Sequence, residues 1–231
     1  MQNLYTKYTN VNAGRKFLSH VHYFASFILN LLFPPQEQEQ RILELKEEDL
    51  LKLQLVKQFD KNCIALFPYQ HPTIKHMVWL LKYRDNAHVS DLFAKAGGEY
   101  LTLVLEDLYL FSNFKDPLLI PMPISPARLR ERGFNQTERI AEKIVTQFPY
   151  ISLCNKNVLI KYRESKPQTT LPRKDRLNNV KNTLKGDERA ISGRNIILLD
   201  DVITTGSTMK EARETLRKAG AKNILCVALA H

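Results

Sequence analysis

Apolar residues fall into two rhythms along the chain, and the change of rhythm divides the sequence. The first quarter is spaced like helix. Phe17, Val21, Phe24, Ile28 and Leu32 recur at three or four positions, which predicts a helix over Arg15–Phe33 ending at Pro34-Pro35. Leu43, Leu50, Leu51, Leu53, Leu55 and Val56, around an acidic middle of Glu47, Glu48 and Asp49, predict a second helix over Glu37–Phe59. Downstream, short continuous apolar runs alternate with amphipathic segments. Cys63–Phe67, Leu118–Ile124, Val158–Tyr162, Asn195–Val202 and Asn223–Ala230 predict strands. Ile74–Tyr83 after an N-cap at Thr73, Ser90–Tyr109, Thr137–Phe148, Asp175–Leu184 and Met209–Ala219 predict helices. Gly97-Gly98 marks a weak point or a close-packing site in the long helix, and the prolines of Leu118–Ile124 mark a strand end or edge. Strands alternating with helices imply right-handed crossovers. The expected fold class is α/β, a mostly parallel central sheet flanked by helices over residues 61–231, behind a helical N-terminal extension over residues 1–60.

The chemistry gathers where the strand at Ile196–Leu199 ends. Asp200 and Asp201 close that run, and Thr204-Thr205-Gly206-Ser207-Thr208 leads into the next helix. In open parallel sheets ligands sit beyond the carboxyl ends of strands, against the following helix start. Backbone N–H groups and four hydroxyls of this loop suit an anion, and the acid pair suits ribose hydroxyls or hydrated Mg²⁺. An ordinary helix cap would need one such residue, whereas Asp200 to Thr208 holds six polar side chains. Neither the Walker pattern nor Gly-x-Gly-x-x-Gly occurs. A second basic place follows Leu118–Ile124, where a turn over Ser125–Arg132 carries Arg128, Arg130 and Arg132 before Gly133-Phe134-Asn135-Gln136 opens a helix. Such a run is either a phosphate site or a solvated face. Arg163–Arg176, polar and twice interrupted by proline, is either a lid or an ordinary surface loop. Lys82-Tyr83-Arg84 ends its helix with two cations, which either answer the helix dipole, an adequate structural reason, or face substrate.

Charge sharpens this picture. The net charge is +10, and Ile124–Arg189 alone holds 15 Lys/Arg against 7 Asp/Glu, so the anion attraction is local. Phosphorylated sugars and nucleic acid are the partners such a balance suits. A hydrophobic share of 44% supports a packed core rather than disorder. Cys63, Cys154 and Cys226 are odd in number and widely spaced, which speaks against a disulfide framework or a metal cluster and for a reducing, cytoplasmic setting. Phe17–Phe33, interrupted by Ser19, His20, His22, Ser26 and Asn30, falls short of a membrane span.

The Asp200–Thr208 stretch closely resembles the signature of type I phosphoribosyltransferases, which bind 5-phosphoribosyl-1-pyrophosphate (PRPP). The wider set of motifs resembles the ComF family of competence-associated, GntX-like proteins of that fold. It comprises Tyr69…Ile74…Leu81-Lys82-Tyr83, then Pro121-Met122-Pro123…Arg128…Arg130…Arg132-Gly133-Phe134-Asn135-Gln136, then Gln168…Leu171…Arg176…Asn179-Val180, then the acid pair and its loop. The zinc ribbon usual in the family is missing: Leu32-Phe33-Pro34-Pro35 runs on into Gln-Glu-Gln-Glu-Gln, so no zinc is expected.

The resemblance implies that Thr204, Thr205, Gly206, Ser207 and Thr208 hold the 5-phosphate of PRPP. It assigns Asp200 and Asp201 to catalysis, through the ribose hydroxyls and Mg²⁺. Arg128, Arg130, Arg132, Gln136, Lys166, Gln168 and Arg176 would face pyrophosphate. Two functions remain open. One is transfer of phosphoribosyl to a nitrogen acceptor such as a nucleobase, in nucleoside metabolism. The other is cytoplasmic handling of single-stranded DNA during uptake, through the basic 124–189 region and with other DNA-uptake proteins, the PRPP site being regulatory or vestigial. A scaffold built on the N-terminal helices is a third reading.

Overall fold

The longest apolar runs become the sheet's centre. In a computed structural model, which describes residues 37–60, 63–149, 151–153, 157–163 and 183–231, β7 (Asn195–Val202) and β8 (Asn223–Ala230) lie side by side in parallel. β2 (Cys63–Phe67) pairs in parallel with β8 on one flank. On the other, β3 (Leu118–Pro121) pairs in parallel with β7, and the two-residue β4 (Ser152–Leu153) with β3. β1 (Lys57–Asp60) closes the β2 edge as the antiparallel member, giving the order β1-β2-β8-β7-β3-β4. The α/β fold and the mostly parallel sheet are as expected.

Alternation along the strands divides the core into two layers. Ile196, Leu198, Ile224, Cys226 and Ala228 share one cluster with Leu159, Leu184, Ile191, Met209, Ala212 and Leu216. That cluster joins the sheet to α8 (Ser207–Lys218), α7 (Glu188–Ile191) and a separate antiparallel ribbon of β5 (Leu159–Lys161) and β6 (Leu184–Gly186). The intervening positions, including Ile197, Leu199, Val227 and Leu229, are also fully buried. On that side α4 (Ala87–Ser112) packs with α6 (Gln136–Gln147), and α6 lies along β3 and β7. Gly97 and Gly98 of α4 are a close-packing site: a Cβ on Gly98 would sit 1.8 Å from the Phe148 ring, and one on Gly97 would touch Ile144 and Leu229.

Several expectations are corrected. The Glu37–Phe59 helix is two helices and a strand: α1 (Glu37–Leu43), α2 (Glu47–Lys52) and β1. The acidic triplet forms the first turn of α2, where the helix dipole favours it, and the Asp49 carboxylate accepts from the Lys46 amide at 3.4 Å. Leu45–His231 forms one compact unit, which includes α2 and β1. α3 (Pro72–Arg84) starts earlier than predicted, with His71 at the N-cap and Pro72 at the first position. The Ser125–Arg132 turn is a short helix, α5 (Pro126–Arg132), capped by the Ser125 hydroxyl. Val158–Tyr162 contributes to the ribbon rather than the main sheet, and Leu184 is strand, not helix. β3 ends at its proline as predicted, yet lies inside the sheet. The Arg15–Phe33 helix and most of Asp175–Leu184 lie outside the described residues. No helix among the described residues is long and apolar enough to cross a membrane.

Candidate functional site

A cavity of about 400 Å³ opens where β7 ends, lined by Asp200, Asp201, the Thr204–Thr208 loop, Arg128, Arg132, Gln136, Lys82 and Lys161. The carboxylates at its floor are buried, at 9% and 6% exposure, and their surroundings set them apart. Asp201 Oδ2 accepts from the Lys82 ammonium at 2.9 Å and from Gln136 Nε2 at 3.0 Å, while its Oδ1 accepts from the Val202 amide at 2.9 Å. Burial pushes Asp201 up, but the Lys82 charge and the hydrogen bonds outweigh it and hold the carboxyl below its usual range. Among the described residues Asp200 has no ion pair of its own; its Oδ1 accepts the Asp201 amide at 2.8 Å, and its side chain also hydrogen-bonds that of Asp201. Burial first, and then the neighbouring Asp201 charge, raise its carboxyl well above the ordinary value. The two surroundings therefore favour the charged form of Asp201 and the neutral form of Asp200.

Above the acids, Gly206 turns the chain into α8 with φ of +72°. No side chain caps that helix, so its first-turn N–H groups face the cavity without a capping oxygen. The Ser and Thr residues of this loop are thus not there to cap. Thr205 and Ser207 join hydroxyls at 3.0 Å. The loop's outer side is closed by Phe59 of β1, whose ring lies 2.4 Å from where a Cβ on residue 206 would be. Phe59 meets His231 edge to face at 4.9 Å, and His231 Nδ1 bonds the Ile203 carbonyl at 3.0 Å. Glycine is required here twice over, by conformation and by space.

On the facing wall, α5 brings Arg128 and Arg132 to the cavity because residues four apart share a helix face. Arg130, expected with them, points elsewhere: it is exposed and does not line the cavity. Arg132 donates to Gln136 Oε1 at 3.3 Å, and its buried Nε has no hydrogen-bond partner among the described residues. The guanidinium groups on this wall and the uncapped start of α8 across the cavity are of the kind that suits anionic oxygens. Asn135 anchors the wall by donating to the Met122 carbonyl at 3.1 Å.

The structure thus brings together Asp200, Asp201, Thr204, Thr205, Gly206, Ser207, Thr208, Arg128, Arg132 and Gln136. Lys166, Gln168 and Arg176 lie outside the described residues. Sequence reasoning missed one cation of the site and left a second, Lys82, undecided. Lys161 sits on β5, and Lys82 had a sufficient local reason to end a helix, which hid its partner far along the chain. Beside Lys82, His76, Trp79 and Tyr83 make an aromatic row along α3 with ring centroids 5.7 Å apart at each step. Arg84 lies over Trp79 at 5.9 Å and Arg132 over Tyr83 at 5.3 Å. Trp79 and Tyr83 are 43% and 54% exposed, so the row is open to solvent.

The chain is similar to several known proteins. Residues 139–231 match the phosphoribosyl transferase domain family. The chain is 34% identical to competence protein F of Haemophilus influenzae over 128 residues, covering 54% of this chain and 55% of that protein. It is 29% identical to competence protein ComFC of Streptococcus pneumoniae over 144 residues, 60% of this chain and 61% of that one. DNA utilization protein YhgH of Escherichia coli O157:H7 is 28% identical over 106 residues, 46% and 45% of the two chains. The chain spans about half to three-fifths of the length of these relatives. With the strand order, the acid pair and the loop already described, these matches give the chain the fold of the type I phosphoribosyltransferases and make it similar to the ComF competence proteins over about half of its length.

Proposed function

We propose that this protein binds PRPP with Mg²⁺ and transfers its phosphoribosyl group to a nitrogen acceptor such as a nucleobase, releasing pyrophosphate. The observation that carries the reading is the convergence of the acid pair, the uncapped start of α8 and the Arg128–Arg132 face on one cavity. The Thr204–Thr208 loop would take the 5-phosphate on backbone N–H groups and hydroxyls. Asp200 and Asp201 would take the ribose hydroxyls, leaving Arg128 and Arg132 for pyrophosphate, with Lys166, Gln168 and Arg176 assigned beside them by the family resemblance. As the acceptor nitrogen bonds ribose C1, the bond from C1 to pyrophosphate oxygen breaks and its electron pair leaves with the pyrophosphate. Positive charge growing on the ribose is favoured by the Asp201 carboxylate below it, and the negative charge growing on the leaving group by the two arginines.

The donor set fits magnesium in a limited way. Its oxygens are the ligands a hard cation prefers. The described residues hold no cluster of three or more carboxylate, His or Cys side chains, so the ion's remaining ligands would come from PRPP and water. Bound there, Mg²⁺ would neutralise charge on the leaving pyrophosphate. Calorimetric titration with PRPP, with and without Mg²⁺, tests this reading beside an Asp200→Asn/Asp201→Asn double variant. Magnesium-dependent heat that the variant loses is the expected result; no PRPP binding by the wild-type protein would sink it.

A second reading has its own observation. The open aromatic row on α3, flanked by Arg84 and Arg132, has the build of a stacking platform for single-stranded nucleic acid, and the relatives' names concern competence and DNA utilization. Here the cavity would regulate DNA handling. Binding of an oligonucleotide across a salt series tests it, with Trp79→Ala expected to weaken binding about tenfold or more, since one base stack is worth about 1–3 kcal/mol.

A further inference from the structure

Lys82 sits at the one place in the cavity where a cation would be wanted. Its ammonium is 2.9 Å from Asp201 Oδ2, and its side chain is still 23% exposed toward the opening. A carboxylate oxygen offers two lone pairs. Both of those on Oδ2 are taken, by Lys82 and by Gln136 Nε2, and one on Oδ1 is taken by the Val202 amide. The Asp200 side chain also hydrogen-bonds this carboxylate, so Asp201 is fully engaged while Lys82 stays, and the ammonium beside it repels any incoming cation.

Gln136 and Lys82 differ in how they are held. The Gln136 amide is oriented at its far end by Arg132, which donates to Oε1, and the residue is itself buried. Lys82 hangs on a flexible four-carbon stem from the last turn of α3, and among the described residues its ammonium has no acceptor beyond Asp201. Of the two, Lys82 is the one free to swing.

Resting on the reading of the cavity as a site for PRPP and a divalent cation, we propose that Lys82 is a built-in, displaceable counter-ion for Asp201. It neutralises the carboxylate in the unloaded site and gives up Oδ2 when a divalent cation and ribose hydroxyls arrive. It then turns toward the phosphate oxygens of the ligand, so the cavity exchanges one cation at its floor for another while keeping its positive charge.

The test uses the full chain and Mn²⁺ alone as the probe, followed by electron paramagnetic resonance, so it needs neither PRPP nor turnover. Lys82→Met removes the competitor, and Lys82→Gln removes its charge while keeping a donor for Asp201, which guards against a variant that fails to fold. Both are expected to bind Mn²⁺ tenfold or more tightly than the wild type, Lys82→Arg no more tightly than the wild type, and the gain should vanish when Asp201→Asn is added. Folded Lys82→Gln that binds Mn²⁺ no better than the wild type overturns the proposal, as does a gain that survives Asp201→Asn. A parallel titration of the wild type with PRPP separates the two ideas: absent PRPP binding removes the substrate reading and leaves the Mn²⁺ comparison to decide the role of Lys82 by itself.

Discussion

Replacing either acid of the pair by asparagine changes the same few atoms, and the two variants should move stability in opposite directions. Asp201→Asn strips the Lys82 ammonium of its partner and weakens two hydrogen bonds that now end on a charge. Breaking a fully buried pair costs about 3–5 kcal/mol. The Lys82 side chain is 23% exposed and can be rehydrated, so a loss of about 2 kcal/mol is the better figure here. For a domain of this size that lowers Tm by about 4–8 °C. Asp200→Asn keeps an oxygen for the Asp201 amide and removes a buried acid that resists ionisation, so its Tm at pH 7 should stay level or rise.

The pH dependence follows from the same shifts. Asp200, raised in the folded state, contributes most below the unfolded carboxyl pKa of about 3.9 and loses that contribution as pH rises above it. Asp201, depressed in the folded state, contributes fully above that value and loses it as pH falls through the lower folded one. The advantage of Asp200→Asn over the wild type should therefore widen between pH 5 and pH 7. Thermal unfolding followed by near-ultraviolet circular dichroism at both pH values reads this directly. Equal losses in the two variants, or a larger loss for Asp200→Asn, would refute the division of labour.

Three further outcomes follow from the geometry. Arg128→Ala and Arg132→Ala should each weaken pyrophosphate binding about ten- to a hundredfold, as loss of a charge-assisted bond does, whereas Arg130→Ala should leave it unchanged by calorimetry. Gly98→Ala should destabilise by about 1–3 kcal/mol in chemical denaturation because its Cβ lands on the Phe148 ring, and Phe148→Leu should recover part of that. Glu211, buried in α8, accepts the Thr183 amide at 2.5 Å and its hydroxyl at 2.9 Å. Glu211→Ala should cost about 2 kcal/mol and speed amide exchange at the start of β6.

Central strands and the anion loop were legible because their signals are local. Asn195–Val202 and Asn223–Ala230 are covered on both faces, so an unbroken apolar run, 196–199 in the first and 224–230 in the second, marks each. Asp200 to Thr208 is dense in chemistry within nine consecutive residues. β1 was hidden because Lys-Gln-Phe-Asp carries no alternation, and what makes it a strand is pairing with β2 rather than its own side chains. β6 was hidden likewise, since Leu184–Gly186 exists as strand only against β5. The arginines were found as a group, but which two face the cavity depends on α5 being a helix rather than a turn. Lys82 needed the tertiary fold, because nothing within its own helix distinguishes a dipole partner from the counter-ion of Asp201.

Phe59 gives the edge strand β1 an unexpected stake in what the cavity holds. Its ring fills the space behind Gly206 and leans on His231, which in turn grips the carbonyl of Ile203 at the root of the loop. If β1 frays, the loop loses its backing; if a ligand stiffens the loop, fraying of β1 becomes dearer by the same free energy. Ligand occupancy should therefore slow amide exchange in β1, on the sheet's outer edge, although no residue of that strand lines the cavity.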